Sequence, residues 1–350
     1  MNRNIYLDNI KGALILLVVI GHLFELMRAN FKIGNQLFMF IYVFHMPMFA
    51  LLSGYFSKGE RGVFAANKTF LAIFLPFAFF QIIFLIIKYL YYPIILKDFI
   101  IAVLTPQDGL WYIFCLFFWR LILPNFVRLP KPMILSIFIG LLGGFLPKYG
   151  TLLSSSRMLA FFPFFMLGYY LRTKGTFVSY SRNNRENNLI FLSVLILVCA
   201  LGCSIILNGN FQDYFLYYHF YFEEWRPIWF SLLFRVIAYS SALLAGFSFM
   251  YIIPKSNSFF SKLGEKSLYI YLLHCVIIHF FVCSKMLNQI KAWHFFFLMT
   301  LLGFPLTVFL STDIVQRMTK IFIEPATFLL KEKHKPKSWY DNPIKAGGKI

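Results

Sequence analysis

The 350-residue chain is 59% hydrophobic and 21% aromatic but only 13% charged, against roughly 25% charged residues in an ordinary soluble domain. That much apolar surface cannot be hidden from water, which excludes a soluble enzyme or binding module. The net charge of +19 sits in short loops between apolar runs and not on one folded face, which argues against a nucleic-acid partner and for a lipid one.

Apolar runs with Gly, Pro and charged punctuation predict an all-α integral membrane bundle of about ten helices, since roughly 18 to 25 residues cross a hydrocarbon core of about 30 Å. In chain order they fall near residues 10–27, 35–56, 69–91, 110–124, 132–147, 157–172, 188–208, 227–253, 266–284 and 293–316. The first follows basic residues as a signal peptide's apolar region would, but His22 and Glu25 interrupt it and no small-residue cleavage site follows, so it reads as a retained helix. The fourth and fifth are short and bounded by proline. The connection 209–226 carries aromatic residues with Asp213, Glu223 and Glu224 and is expected to roof a cavity. The expected division is a transmembrane domain over 1–330 and a basic cytoplasmic tail over 331–350, lying along anionic lipid or disordered.

Loop charge orients the bundle. With the N-terminus inside, the cytoplasmic segments hold 21 of the 33 basic residues, the bias that the positive-inside rule requires, so both termini are expected in the cytoplasm. The five cysteines all lie within apolar runs, in neither a metal spacing nor an extracellular disulfide pattern, and read as buried thiols. Neither they nor the histidines, which lack carboxylate or thiolate partners at ligand spacing, imply a metal.

Ionisable groups inside a membrane helix cost about 2.5 to 3.5 kcal/mol each on insertion scales, so each one needs a reason. The first helix has four. Taking Lys11 as zero, Asp8 falls at about +60°, His22 at about +20° and Glu25 at about −40°, one polar stripe along the helix. His22 lies three turns beyond Lys11, about 16 Å along the axis. A cation at the cytoplasmic mouth and an imidazole deep in the bundle suit a long anionic donor whose phosphates stay outside while its reactive end reaches in. Imidazole can take a proton from a hydroxyl near neutral pH, and Glu25 can orient it. Spacing alone leaves a second reading open, in which Asp8 and Lys11 form an interfacial pair and His22 only bonds between helices.

The run Tyr6-Leu7-Asp8-Asn9-Ile10-Lys11-Gly12, followed by Gly21-His22, resembles the first-helix signature of the acyltransferase-3 family of transmembrane O-acyltransferases, in particular its fucose 4-O-acetylase-like branch. Lys11 to His22 matches the family's spacing of a basic residue and a histidine. Further resemblance lies in Phe44-His45-Met46-Pro47-Met48-Phe49 with Ser53-Gly54-Tyr55, in Leu110-Trp111-Tyr112, in Pro163-Phe164-Phe165 with Gly168-Tyr169, and in Ser267 to His274. The resemblance implies a bundle of about ten helices in the inner (cytoplasmic) membrane that moves an acyl group, usually acetyl, from cytoplasmic acyl-coenzyme A to a hydroxyl of a glycan or lipid-linked sugar. The donor is a substrate, and no permanently bound cofactor is expected. His22 matches the essential histidine and Lys11 its basic partner. Where the family often carries an arginine-rich stretch, this chain offers only Lys68.

Depth arithmetic puts His22, His45 and His274 about 18, 16 and 12 Å from the cytoplasmic ends of their helices, so the three can meet in one layer. For His45 and His274, direct chemistry competes with a satisfied inter-helix hydrogen bond. His279 is expected on another face, and His219, His294 and His334 as bystanders. Trp111 and Arg157 are expected to contact the acceptor; for Arg157 a snorkelling or topogenic role competes with holding an anionic group. Gly140 and Gly144 make a G-x-x-x-G explained by close packing, and Arg235, within a helix, must find a partner. The competing class is a secondary transporter or exporter of a glycolipid or small solute, with the stripe as its pathway; the lack of an internal repeat weighs against it.

Overall fold

The structure is a computed structural model that describes residues 4–93, 95–145, 152–175, 186–206, 228–286 and 292–329. The 209–226 connection and the 331–350 tail, with His219 and His334, lie outside these residues. Every regular element among them is helical. In chain order they are α1 (Ile5–Met27), α2 (Lys32–Phe56), α3 (Val63–Tyr91), α4 (Leu96–Leu104), α5 (Trp111–Phe126), α6 (Pro132–Leu142), α7 (Ser155–Thr173), α8 (Glu186–Ile206), α9 (Ile228–Ile252), α10 (Phe259–Glu265), α11 (Ser267–Ser284), α12 (Trp293–Leu310), α13 (Asp313–Ile323) and α14 (Pro325–Leu329).

Eight of the helices are long and apolar enough to cross a membrane: α1, α2, α3, α5 with its preceding turn, α8, α9, α11 and α12. The segments expected near 132–147 and 157–172 are helical but outside that set. The first has 11 residues before a short 3-10 turn, and the second carries Arg157 and Arg172 near its ends. Three boundaries differ from expectation for identifiable reasons. Helix α1 begins at Ile5, because the Asn4 side chain accepts the Leu7 N–H at 3.2 Å and caps it. Helix α3 begins at Val63 and passes through one π-turn, Phe70–Phe74, ahead of Pro76. The run expected to continue to 316 stops at Leu310, because Thr312 is extended and Asp313 opens a separate helix. Helix α13 leaves Ile314 and Met318 exposed beside its charged side chains, the pattern of a helix lying in a membrane interface. Its base is fastened by an ion pair from Lys266 to Asp313, which holds the Asp313 carboxyl below its usual range.

The core is built by α1, α2, α5 and α11, and α8 lies at the periphery with only 11% of its span buried. That placement corrects the expectation of buried thiols: Cys115, Cys275 and Cys283 are buried, whereas Cys199 and Cys203 are exposed on α8. Two reciprocal glycine crossings fix the inner helices. A Cβ on Gly12 would lie 1.8 Å from the Phe260 carbonyl oxygen and one on Gly264 would lie 1.9 Å from that of Asp8, which locks α1 to α10. Gly54 and Gly168 lock α2 to α7 in the same way, against the carbonyls of Phe165 and Leu51. Gly140 is packed against Pro163 and Tyr239, in keeping with the close-packing reading of its motif.

Candidate active site

A cavity of about 550 Å³ opens at the end of the bundle where α1 stops, walled by α1, α2, α7, α11 and the turn that leads into α5. Its polar centre is His22. The Nδ1 of His22 lies 2.9 Å from Glu25 Oε2, one turn on along α1, and the Tyr42 hydroxyl from α2 donates to the same oxygen at 3.1 Å. A carboxylate oxygen accepts both protons, so Nδ1 carries the ring hydrogen and Nε2 presents a lone pair. That nitrogen faces Gly109, where a Cβ would come to 3.9 Å from it. Helical spacing explains the pairing, since residues three apart stack on one face.

His45 and His274 flank this centre. Each donates Nδ1–H to the carbonyl one turn back, Ile41 and Ile270, both at 2.8 Å. A carbonyl can only accept, so both rings carry their lone pair on Nε2, which in His274 faces the Cys275 thiol at 3.7 Å. The His274 ring sits 5.4 Å from that of His22, and the His45 ring 4.5 Å from that of Tyr42. His45 Nε2 is buried and has no hydrogen-bond partner among the described residues, an unsatisfied acceptor on the cavity wall.

The opposite wall is the turn Asp108–Leu110, held from three sides. The Gln81 amide of α3 donates to the carbonyls of Ala102 at 3.0 Å and Thr105 at 2.9 Å, while its oxygen accepts the Gln107 N–H at 3.1 Å. The Tyr271 hydroxyl of α11 donates to the Gly109 carbonyl. His279 lies between Asp108 Oδ2, 2.5 Å from its Nδ1, and the Phe84 carbonyl, 2.9 Å from its Nε2. The Cys283 sulfur also lies 3.5 Å from Nε2, so both nitrogens of His279 are engaged. The turn must also be tight: Asp108 has φ +37, and a Cβ on Gly109 would meet the Cys275 sulfur at 2.6 Å.

Of the residues singled out from sequence, His22, Glu25, His45, Trp111 and Arg157 line this one cavity and His274 stands directly behind His22. Arg157 stacks its guanidinium over the Trp111 ring at 5.1 Å. Lys11 is at the other end of α1, paired with Asp8 at 2.7 Å and lying 5.1 Å from the centre of the Phe56 ring. Lys68 is exposed on the first turns of α3. Arg235 is buried within α9. Sequence reasoning missed Tyr42, Gln81, Asp108 and the Asp108–His279 pair. Gln81 carried a signal, as a lone amide in a long apolar run. Tyr42 carried none, being one tyrosine among 20.

The fold and the cavity thus define a multi-pass membrane protein with a carboxylate-oriented histidine at the centre of a buried polar site. A family model described as an acyltransferase domain matches residues 4–313, and the chain belongs to this family, acyltransferase-3. Among relatives, Nodulation protein NolL of Sinorhizobium fredii is 47% identical over 62 residues, 17% of this chain and 17% of that protein. Nodulation protein NolL of Mesorhizobium japonicum is 44% identical over 61 residues, 17% of this chain and 16% of that protein. The matched stretch therefore spans about a sixth of these relatives. No solved structure matches the chain.

Proposed function

We propose that the protein is an O-acyltransferase, in the first instance an O-acetyltransferase, that moves an acyl group from cytoplasmic acyl-coenzyme A to a hydroxyl of a cell-envelope glycan or lipid-linked sugar. The observation that carries this reading is the His22 triad: a lone pair on Nε2, with the other nitrogen held by Glu25, whose carboxylate oxygen also accepts the Tyr42 hydroxyl. His22 Nε2 removes the acceptor proton as its oxygen attacks the thioester carbonyl; the carbon–sulfur bond then breaks and coenzyme A leaves as the thiol, taking the proton from the imidazolium. The buried lone pairs of His45 and His274 support the same layer, His45 as an acceptor for a second donor on the bound substrate. Lys11, at the opposite end of α1, is assigned to donor phosphate, with Lys68 as a further cation on that side.

The reading includes a domain of about ten crossings over 1–330, a basic tail over 331–350, both termini in the cytoplasm and residence in the inner membrane. It rests there on loop charge and on the family membership. The test uses purified full-length protein in nanodiscs with labelled acetyl-coenzyme A and a panel of envelope glycans. Wild type is expected to transfer label to a glycan, and His22→Ala is expected to lose transfer by at least about 10²-fold while still binding the donor. A folded His22→Ala protein that acylates at the wild-type rate overturns the assignment.

A further inference from the structure

Arg120 is the one cation of α5, and nothing among the described residues neutralises it. Its Nε is buried without a hydrogen-bond partner, and none of the described residues forms an ion pair or hydrogen bond with its guanidinium. The ionisable group that acts on it is the Tyr112 phenol, about two turns back along the helix. At 100° per residue the buried Ile113 and Pro124 lie within about 40° of Arg120, whereas Ile122, 44% exposed, lies about 160° away. The side chain therefore leaves α5 toward the bundle interior and not toward lipid. It is only half-buried there, so its tip meets accessible space on the inner side of α5. An unpaired guanidinium is costly within a membrane span and marks the path of a ligand. Two sets of contacts orient that path. One turn beyond Arg120, the Pro124 carbonyl accepts from Arg61 at 2.8 Å, in the connection that follows Phe56 and so lies at the Lys11 end of the bundle. In the other direction the Tyr112 hydroxyl bonds with that of Ser53 at 2.6 Å and its ring lies 5.8 Å from that of Tyr271. The Tyr271 hydroxyl in turn donates to the carbonyl of Gly109, which His22 Nε2 faces. Arg120 follows Gly109 by eleven positions, about 16 Å along the axis.

We propose that Arg120 binds a phosphate group of a ligand that enters from the Lys11 end, and that in the proposed acyl transfer this is phosphate of the coenzyme A donor. The inference rests on the acyl-transfer reading for the identity of the ligand alone. A guanidinium forks onto two phosphate oxygens, and surroundings of low dielectric strengthen the pairing. The pantetheine arm of the donor is an uncharged chain with the thioester at one end and phosphate at the other. Phosphate held on Arg120 leaves the thioester one arm's length along the line of Tyr112, Tyr271 and Gly109, where His22 Nε2 presents its lone pair. Lys11 is already paired with Asp8, and Lys68 is exposed on the first turns of α3. Arg120 brings to this side a guanidinium whose hydrogen-bonding capacity is unspent.

The test is binding to the full-length protein in zwitterionic nanodiscs, with coenzyme A, pantetheine and inorganic diphosphate as probes. Wild type is expected to bind coenzyme A about tenfold or more tightly than pantetheine, and Arg120→Gln to lose that advantage while binding pantetheine as wild type does. Arg120→Lys, which keeps the charge without the fork, is expected to fall between the two. Without any probe, Arg120→Gln is expected to unfold at or above the wild-type temperature, because removing an unpaired cation strands no partner. Diphosphate is expected to raise the unfolding temperature of wild type and not that of Arg120→Gln. Unchanged coenzyme A binding in folded Arg120→Gln overturns the proposal. A matching loss of pantetheine binding, or a lower unfolding temperature without probes, makes Arg120 a packing residue and overturns it as well. If the wild-type advantage disappears in discs containing anionic phospholipid, the cation belongs to headgroups and the proposal falls. A wild type that binds no coenzyme A but is stabilised by diphosphate in an Arg120-dependent way overturns the acyl-transfer reading and leaves the phosphate site standing; a wild type stabilised by neither overturns the site.

Discussion

At the scale of single residues, the site is organised around one oxygen atom. Glu25 Oε2 receives both the His22 ring proton and the Tyr42 hydroxyl, so it sets the tautomer of the imidazole while Tyr42 sets the rotamer of the carboxylate. The two contributions separate by mutation. Glu25→Gln keeps the shape but allows the amide N–H₂ to face Nδ1, which favours the tautomer with the proton on Nε2; a loss of about 10²-fold or more in kcat is expected with donor binding unchanged. Tyr42→Phe removes only the second donor, and a loss of roughly threefold to tenfold is expected. Transfer assays on both variants check this, and a larger loss for Tyr42→Phe than for Glu25→Gln would give the hydroxyl a direct part in the reaction. Much of this cluster was legible in the sequence, because a histidine and a glutamate three residues apart in an apolar helix share a face and each is costly there. Tyr42 was not, since a phenol is at home in membrane helices for its ring alone and only packing of α1 on α2 turns its hydroxyl to the carboxylate. Asp108 was equally hidden: its partner His279 is 171 residues away in sequence, and nothing local announces the pair.

At the scale of elements, the long apolar helices were legible from length alone, whereas the short ones were not. Helices α4 and α10 have 9 and 7 residues, too short for an apolar run to stand out from a loop. Yet α10 is what α1 packs against most closely, through Gly12 and Gly264, and its loop takes two hydrogen bonds from the Asn9 amide, to the carbonyls of Pro254 and Ser256, both at 2.7 Å. The first-helix motif therefore does structural work at its start and, in the proposed reaction, chemical work at its end. The α2–α7 crossing makes the corresponding prediction. A Cβ on Gly54 would sit 1.8 Å from the Phe165 carbonyl oxygen, which no side-chain rotation can relieve, so Gly54→Ala must push α2 from α7 and open the wall that carries His45, Arg157 and Phe161. Gly202 on α8 has nothing within 4 Å of its Cβ position. Gly54→Ala is expected to lose several degrees of thermal stability in detergent or fail to fold, and Gly202→Ala to match or slightly exceed wild type. Fluorescence-detected size-exclusion after heating measures both, and a fully stable Gly54→Ala would mean the two helices are not in backbone contact.

At the scale of the whole molecule, the two ends of α1 have different chemistry. One end carries Asp8 and Lys11, locked to the 254–264 region; the other carries His22 and Glu25 and opens into the cavity beside Arg28 and Lys285. The proposed reaction, with a soluble donor on one side of the membrane and an acceptor on the other, uses this separation, with the reacting atoms between. The side on which each end lies is therefore the strongest test of the whole arrangement. Loop charge predicts the Ser57–Gly62 connection, with the first turns of α3 as far as Lys68, inside and the cavity mouth outside. Single cysteines at Glu60, in that connection, and at Met286, exposed beside Lys285 at the mouth, can be introduced into a chain whose native cysteines are replaced by serine or alanine. A membrane-impermeant maleimide added to intact cells should label Met286→Cys and spare Glu60→Cys until the membrane is permeabilised. The reverse pattern would turn the cavity mouth to the cytoplasm, move Arg28 and Lys285 to the side of the donor's phosphates, and leave Lys11 as the partner of Asp8 alone.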